Sequence, residues 1–335
     1  MSRLRLIIKT DKTECLLNPL LSKLPSQEDV TLSVHRFEQL AATSEMPGID
    51  IEPANGLLVS MTSTRERIMR AALAIESLMQ QSVLPGRIVL CLDKNSFRKG
   101  ELPALIRRQC ERGLKVLLCE RDLGPHTKYY YSLQQNPDSL LLTVDDDKLY
   151  PATMIEELLQ AHLRAPDVVH CHRGHAITFS GRSIQPYKRW EKNTAITQAS
   201  ALVFPTGVGG VLYFPGCFDE RVLDQSLFGR LCPSADDVWL KAMTLAKGTL
   251  SQMVPHEDDW NARCFTVPGT QHAALKRINK SRRTGNDSQI ARTFRYFGLM
   301  EGLCQQYHRD TNPPVRKEAL ALLKSMFKRR RVPSR

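Results

Sequence analysis

The chain has 335 residues, 42% hydrophobic and 24% charged, with a net charge of +12. That composition supplies a real core and excludes a disordered or fibrous polypeptide. No run of about 18 uncharged apolar residues occurs, which excludes an ordinary membrane-spanning helix; nine scattered cysteines without a Cys-x-x-Cys pair argue against a disulfide framework.

Residues 1–55 carry one expected strand, at 4–8. Lys9, Asp11 and Lys12 cut its apolar run short and no small-residue cleavage site follows, so it does not read as a signal peptide. This segment is expected to be an appendage of unassigned role, and the protein is expected in the cytosol. From Gly56 the pattern sharpens. Apolar runs at 56–61, 87–93, 114–119 and 140–144 read as buried strands. Helical spacing at 68–79, 102–111, 128–135 and 150–165 places helices between them. Ser63 with Glu66 three residues later resembles a capping box. Strand–helix alternation implies βαβ units and a mostly parallel sheet, whose ligands bind outside the carboxyl ends of the strands. Asp93 and the triplet Asp145-Asp146-Asp147 stand at such ends.

After Pro166 the texture changes. Residues 168–171 read as a strand running into His170, His172 and His175. Residues 180–200, with Tyr187, Trp190 and Lys192, read as a long surface loop. Residues 202–213 read as a strand interrupted by Gly207, Gly209 and Gly210. Asp236 and Asp237 open an apolar helix containing Trp239, which reads as core. The tail, 315–335, combines an apolar helical face with Lys328-Arg329-Arg330-Arg331. That suits either a helix on an anionic membrane surface or a docked helix with a solvated basic end.

Three adjacent carboxylates at the end of a buried strand repel one another. A divalent cation removes that cost, and oxygen ligands suit Mn²⁺ or Mg²⁺, held through one or two carboxylates and substrate phosphates. On an extended backbone Asp145 and Asp147 would share a face and Asp146 the opposite one. In the second acidic pair one Asp would cap its helix and the other would be free as a base. Glycosyl transfer needs a neutralised leaving diphosphate, a base for the acceptor hydroxyl and exclusion of water. The triplet, the Asp236-Asp237 pair and the 180–200 loop would supply these in turn. The histidines lack the second half of a zinc ligand set and read as site lining or packing; neither His256 nor His272 is singled out to complete a metal shell. Tyr187 and Trp190 would stack on an acceptor sugar, with His172 beside them.

The ordered blocks Val59-Ser60-Met61-Thr62-Ser63, Thr143-Val144-Asp145-Asp146-Asp147, His170-Cys171-His172-Arg173, 204–212, 232–239 and Gly285-Asn286-Asp287 resemble bacterial glycosyltransferases of the family 2-like group, in a branch linked to surface polysaccharide or lipooligosaccharide assembly. The resemblance spans about residues 56–297. It implies an α/β fold of the GT-A (Rossmann-like) kind, a mostly parallel central sheet flanked by helices over 56–300, with the appendage 1–55 before it and a helical basic tail, 301–335, after it. It implies a DxD motif with Asp147 on Mn²⁺ or Mg²⁺ and Asp145 on metal or ribose, with Asp146 supporting. It implies Thr62, Ser63, Arg65 and Asp93 on the nucleotide, Lys128 near the diphosphate, and Gly209 and Gly210 against the donor sugar. Asp237 aligns with the base of inverting members; Asp236 departs from the commoner Glu, which leaves open which acid acts. Lys280, Arg282 and Arg283 would close over phosphate or form a solvated loop. The expected partners are a nucleotide-sugar donor, a UDP-sugar first among them, a glycan or lipid-linked saccharide acceptor and an anionic membrane surface at the cytoplasmic face, not nucleic acid. Two other classes share features: a nucleotidyltransferase or phosphoesterase, which would need a second metal cluster or a glycine-rich phosphate loop, and a basic nucleic-acid or membrane-binding module, for which no nucleic-acid motif is present.

Overall fold

The computed structural model describes residues 26–51, 56–97, 101–256, 259–269 and 285–311. The strand expected at 4–8, the basic residues Lys280, Arg282 and Arg283, His272 and the tail 315–335 lie outside them. Among the described residues no helix is long and apolar enough to cross a membrane.

Helix α1 (Gln27–Thr43) starts on a capping box between Ser26 and Asp29. Then strands and helices alternate: β1 (Leu57–Thr62), α2 (Ile68–Met79), β2 (Arg87–Asp93), α3 (Ala104–Glu111), β3 (Leu114–Cys119), α4 (Thr127–Gln135), β4 (Leu140–Thr143), the short β5 (Lys148–Leu149) and α5 (Met154–Arg164). The expected helix over 150–165 begins only at Met154, after a turn through Pro151. Next come β6 (Val169–Cys171), β7 (Gly174–Ala176), β8 (Phe179–Ser180), β9 (Ser183–Ile184), β10 (Glu191–Lys192), β11 (Val203–Pro205), β12 (Val211–Tyr213), α6 (Gln225–Leu231), α7 (Asp236–Lys247), β13 (Ser251–Met253), α8 (Trp260–Arg263), β14 (Phe265–Thr266), α9 (Asn286–Tyr296) and α10 (Met300–Thr311).

Seven strands form the central sheet in the order β13-β6-β12-β4-β1-β2-β3. All neighbours are parallel except β12, which runs antiparallel to both β4 and β6. The expected class, α/β with a mostly parallel central sheet flanked by helices, is what is observed. The apolar runs produce it because both faces are covered. Leu57, Val59 and Met61 of β1, Ile88 and Leu90 of β2, and Leu140 and Leu142 of β4 enter one core with α2, α3 and α5. The alternate residues Leu58, Val89, Cys91 and Leu141 enter the other, with Tyr129 of α4 and Trp239 of α7. Period-two alternation assigns each side chain to its layer, and each fully buried aliphatic side chain contributes about 1.5–3 kcal/mol.

The 180–200 segment departs from the surface loop expected of it. It folds into two small pairings, β8 with β9 and β10 with β7, and β7 in turn pairs with β11. Trp190 is only 3% exposed and packs into the core beside Phe204, at 5.2 Å.

Candidate active site

The parallel register brings the ends of β1 and β4 together. Ser60 lies opposite Thr143, and the Val144 amide donates to the Ser60 carbonyl at 3.1 Å. The chain beyond β1 therefore meets the acidic triplet. Ser63 Oγ donates to Asp146 at 2.6 Å, and Arg67 pairs with Asp146 and, at 3.2 Å, with Asp147. Ser63 is thus a triplet ligand and not a cap: α2 starts after Arg67 with no side-chain cap bond. The triplet has also left the strand, which ends at Thr143, and lies in a turn. Strand alternation fails there, so Asp146 and Asp147 share one arginine while Asp145 turns to Lys128.

Lys128 sits in the first turn of α4, where its carbonyl accepts from Ser60 Oγ. Its ammonium lies 3.0 Å from Asp145 and 2.8 Å from Asp236. Both acids of the second pair face the same place. The residue before α7 is Ala235, with no side-chain cap bond, so neither Asp caps the helix. Asp236 takes Lys128, and Asp237 accepts the Gly207 amide with both oxygens, at 3.1 and 3.2 Å. A Cβ on Gly207 would stand 2.9 Å from Asp145 Oδ1, 3.1 Å from Lys128 Nζ and 3.4 Å from Asp237 Oδ1. Glycine at 207 is therefore what lets these three groups converge.

Electrostatics follows from this crowding. Burial alone would depress the Lys128 ammonium, but Asp145, Asp236 and Asp237 outweigh it and hold it well above its usual value. Burial also works against the Asp145 carboxylate, yet Lys128 holds it below the usual range. Burial and Asp236 push Asp237 up to about 8, against the pull of Lys128. Burial lifts Asp146 to about 6 despite Arg67 and Ser63, and burial with the charge of Asp145 lifts Asp147. The cluster thus holds more negative charge than its cations offset.

That imbalance tests the fit of a divalent metal. Among the described residues no set of three or more His, Cys, Asp or Glu side chains gathers as a metal cage. Mn²⁺ and Mg²⁺ do not need one: one or two carboxylates suffice when waters and phosphate oxygens complete the shell. Asp147, raised by burial and then by its neighbour Asp145, is a carboxylate of the kind that donor set uses. His256 stands against His172 and Trp260, with its Nδ1 2.9 Å from the Val254 carbonyl.

The remaining expected site residues divide. Thr62 Oγ1 donates to the Cys91 carbonyl at 2.9 Å. Arg65 is turned outward, to the Ser96 carbonyl and Glu101, and Asp93 accepts from the same Ser96 through its amide and hydroxyl. Gly209 is closed against the Arg173 backbone, where a Cβ would stand 2.5 Å from the Arg173 nitrogen; Gly210, at φ 70°, faces Met154 and Leu142. Tyr187 is half-buried. Two expectations for the acceptor are corrected. Trp190 is buried, its indole N–H donating to the Gln185 carbonyl at 2.8 Å, so it presents no face to a sugar. His172 is fully buried, stacked on Trp260 at 4.4 Å with Nε2 3.1 Å from the Met154 carbonyl. Sequence reasoning missed Arg67 and Gly207. Arg67 sits one helical turn-start beyond Ser63, and Gly207 in the same glycine run that drew attention to Gly209 and Gly210.

Burial holds His172 down at about 4, against the pull of Glu157. Its folded pKa is lower than the unfolded value of about 6.5, so the stability of the neutral form is complete above pH 6.5 and lost as pH falls toward 4. His172→Phe keeps the stack on Trp260 and removes the titration. Urea unfolding is expected to show the variant losing about 2 kcal/mol less than the parent between pH 7.5 and pH 5. Equal losses in both proteins would place the proton elsewhere.

No family model matches the chain, and no curated protein matches it. Among solved structures, the mannosyltransferase PcManGT from Pyrobaculum calidifontis, in complex with GDP-Man and Mn²⁺, is similar over 89% of this chain and 87% of that one, at 14% identity and a TM-score of 0.42. A likeness of that size carries no argument about what this chain binds, and the site stands on its own geometry.

Proposed function

We propose that the protein is a glycosyltransferase that moves a sugar from a nucleoside-diphosphate donor to a saccharide acceptor hydroxyl. The observation that carries this reading is the convergence of Asp145, Lys128, Asp236 and Asp237 around Gly207, at the carboxyl end of β4 beside Asp147. Asp145, close to Asp147 in the chain, and the raised acid Asp237 lie across one glycine from each other, which supports a donor side and an acceptor side at one site. Asp147, with Asp145, would hold Mn²⁺ or Mg²⁺, which neutralises the leaving diphosphate when bound. Asp237 takes the acceptor proton as the new carbon–oxygen bond forms and the bond from the anomeric carbon to the diphosphate breaks. Lys128 keeps Asp145 and Asp236 in place. Arg67 positions Asp146 and Asp147, and its guanidinium lies ready for diphosphate oxygens.

Calorimetry with UDP, GDP and CDP, with and without Mn²⁺, tests the reading. One of them is expected to bind at least about tenfold more tightly with Mn²⁺, and Asp147→Asn is expected to erase that increment. Absence of metal-dependent binding to all three would sink it. A donor screen read by product distinguishes the neighbouring chemistry: nucleoside diphosphate release supports transfer of a sugar, whereas pyrophosphate release points to nucleotidyl transfer.

A further inference from the structure

A second group of charges borders Asp237 and takes no part in the steps above. Arg173 precedes β7, and its Nη1 donates to Thr206 Oγ1 at 2.9 Å. Thr206 immediately precedes Gly207, whose amide is held by Asp237. The Arg173 Nε is buried without a hydrogen-bond partner. Lys192 of β10 sits opposite His175 of β7 in the adjoining strand pair. Its ammonium lies 4.0 Å from the centroid of the Tyr187 ring and donates to the Tyr187 carbonyl at 2.8 Å. Tyr187 in turn packs on His175 at 5.5 Å. Among the described residues neither Arg173 nor Lys192 has a carboxylate within ion-pair distance.

Two cations that act on one another without a carboxylate in ion-pair contact are costly; Asp287, which accepts the Tyr187 amide at 2.6 Å, is the anion that reaches Lys192 by its field. Burial and then Arg173 hold Lys192 below its ordinary value, with Asp287 pulling the other way. His175 offers no compensating charge: burial, Arg173 and Lys192 keep it neutral, down to about 3, and its Nδ1 accepts from the Asn193 amide at 3.3 Å. An unpaired buried guanidinium N–H is an expensive feature for a protein to retain unless a ligand satisfies it. The guanidinium fork suits a two-oxygen anion, and the ammonium a single further oxygen. The Tyr187 ring, half-buried and packed on Trp190 and Phe204, holds Lys192 over its face and so fixes the ammonium in place.

We propose that Arg173 and Lys192, set around Tyr187 beside Asp237, bind an oxyanion carried by the acceptor, a phosphate or a carboxylate on the saccharide. This rests on the sugar-transfer reading only for the word acceptor. The donor's phosphates belong with Asp147, on Arg67, and Asp145, which meets Lys128 in front of Gly207. Arg173 approaches from Thr206, on the side of the proton-accepting Asp237.

The test uses the full chain with Mn²⁺ and a saturating nucleoside diphosphate. Glucose 6-phosphate, glucuronate and glucose are titrated in, read by calorimetry and by fluorescence of Trp190, 5.0 Å from Tyr187. At least one charged sugar is expected to bind about tenfold or more tightly than glucose, and which one does so separates phosphate from carboxylate. Lys192→Gln, at an exposed position where folding is not at stake, is expected to weaken the charged sugar roughly three- to tenfold. Arg173→Gln removes the preference, and Arg173→Lys, which keeps the charge but not the fork, gives an intermediate loss. Nucleoside diphosphate affinity stays within about twofold in Lys192→Gln. Equal affinity for charged and neutral sugars overturns the proposal. So does a loss in Lys192→Gln that falls equally on the nucleoside diphosphate, because the cations then serve the donor. If no nucleoside diphosphate binds but the charged-sugar preference persists and depends on Lys192, the subsite stands and the sugar-transfer reading falls.

Discussion

Asp237→Asn is expected to lower turnover by roughly 10²–10⁴-fold, the range typical for loss of a general base, while leaving Mn²⁺-dependent nucleoside diphosphate affinity within about threefold. The substitution is close to isosteric. The Asn carbonyl still accepts from the Gly207 amide, so the turn that admits the donor keeps its anchor. Lys128 keeps both its partners, Asp145 and Asp236. What disappears is the group able to take a proton. Burial and Asp236 raise Asp237 to about 8, and a base raised toward the working pH is a stronger acceptor than an ordinary carboxylate. A raised folded pKa means the acid is protonated as pH falls, so activity of the parent is expected to decline on acidification from above the ordinary carboxylate range. That limb should flatten in Asp237→Asn. Measuring kcat and KM separately across pH distinguishes the outcomes. If Asp236→Asn instead removes turnover and Asp237→Asn does not, the base is Asp236 and Asp237 merely fixes the turn. Asp236 is the weaker candidate because its oxygen is already committed to Lys128 at 2.8 Å.

The sheet was legible because four apolar runs of the right length are separated by helical periods, and a strand covered on both faces needs nothing else to declare itself. The triplet was legible for the same reason: three acids directly after Leu140-Leu141-Leu142-Thr143-Val144 sit where the sheet must end. The later strands were not legible. β7, β10 and β11 are two or three residues long, too short to display a period, and they form through pairing partners as far away in the chain as Gly174 is from Pro205. Hence Trp190 looked like part of a polar loop although its ring completes the core. The choice of arginine illustrates a second limit. Arg65 and Arg67 are both basic and both follow β1, and only the turn geometry sends Arg67 to the triplet and Arg65 to Glu101. Likewise a glycine run announces close approach without saying which glycine faces what. Gly209 gives way to the Arg173 backbone and Gly207 to the acids. Charge was misassigned at the second acidic pair because helix capping is a local rule, and the demand of a buried lysine 108 positions earlier in the chain overrode it at Asp236.

That lysine yields the largest expected effect on stability. Lys128→Met is expected to destabilise the fold by about 3–5 kcal/mol at pH 7.5, the range for removing one partner of a buried ion pair. Lys128 is 5% exposed and serves two carboxylates at once, with Asp237 also within its field. Methionine fills similar space and packs, so the loss measures charge and not volume. The pH dependence has a definite sign. In the parent, Lys128 is protonated in both folded and unfolded states across pH 5–8, so it titrates in neither. Its effect appears through Asp145, held below its usual value: that contribution is present above about pH 4 and lost only in stronger acid. In the variant the same burial acts without the lysine, and the acids are raised instead. The folded state then binds more protons than the unfolded one as pH falls, and the variant gains stability on acidification. Urea unfolding at pH 7.5 and pH 5.0 is therefore expected to show the penalty narrowing by about 1–2 kcal/mol at the lower pH. A solvated lysine with no structural role would give a change within about 0.5 kcal/mol at both pH values, and a penalty that widened in acid would mean that the acids do not depend on it. The predicted pattern is that of a cation built into the protein so that Asp145, Asp236 and Asp237 can face one another around Gly207.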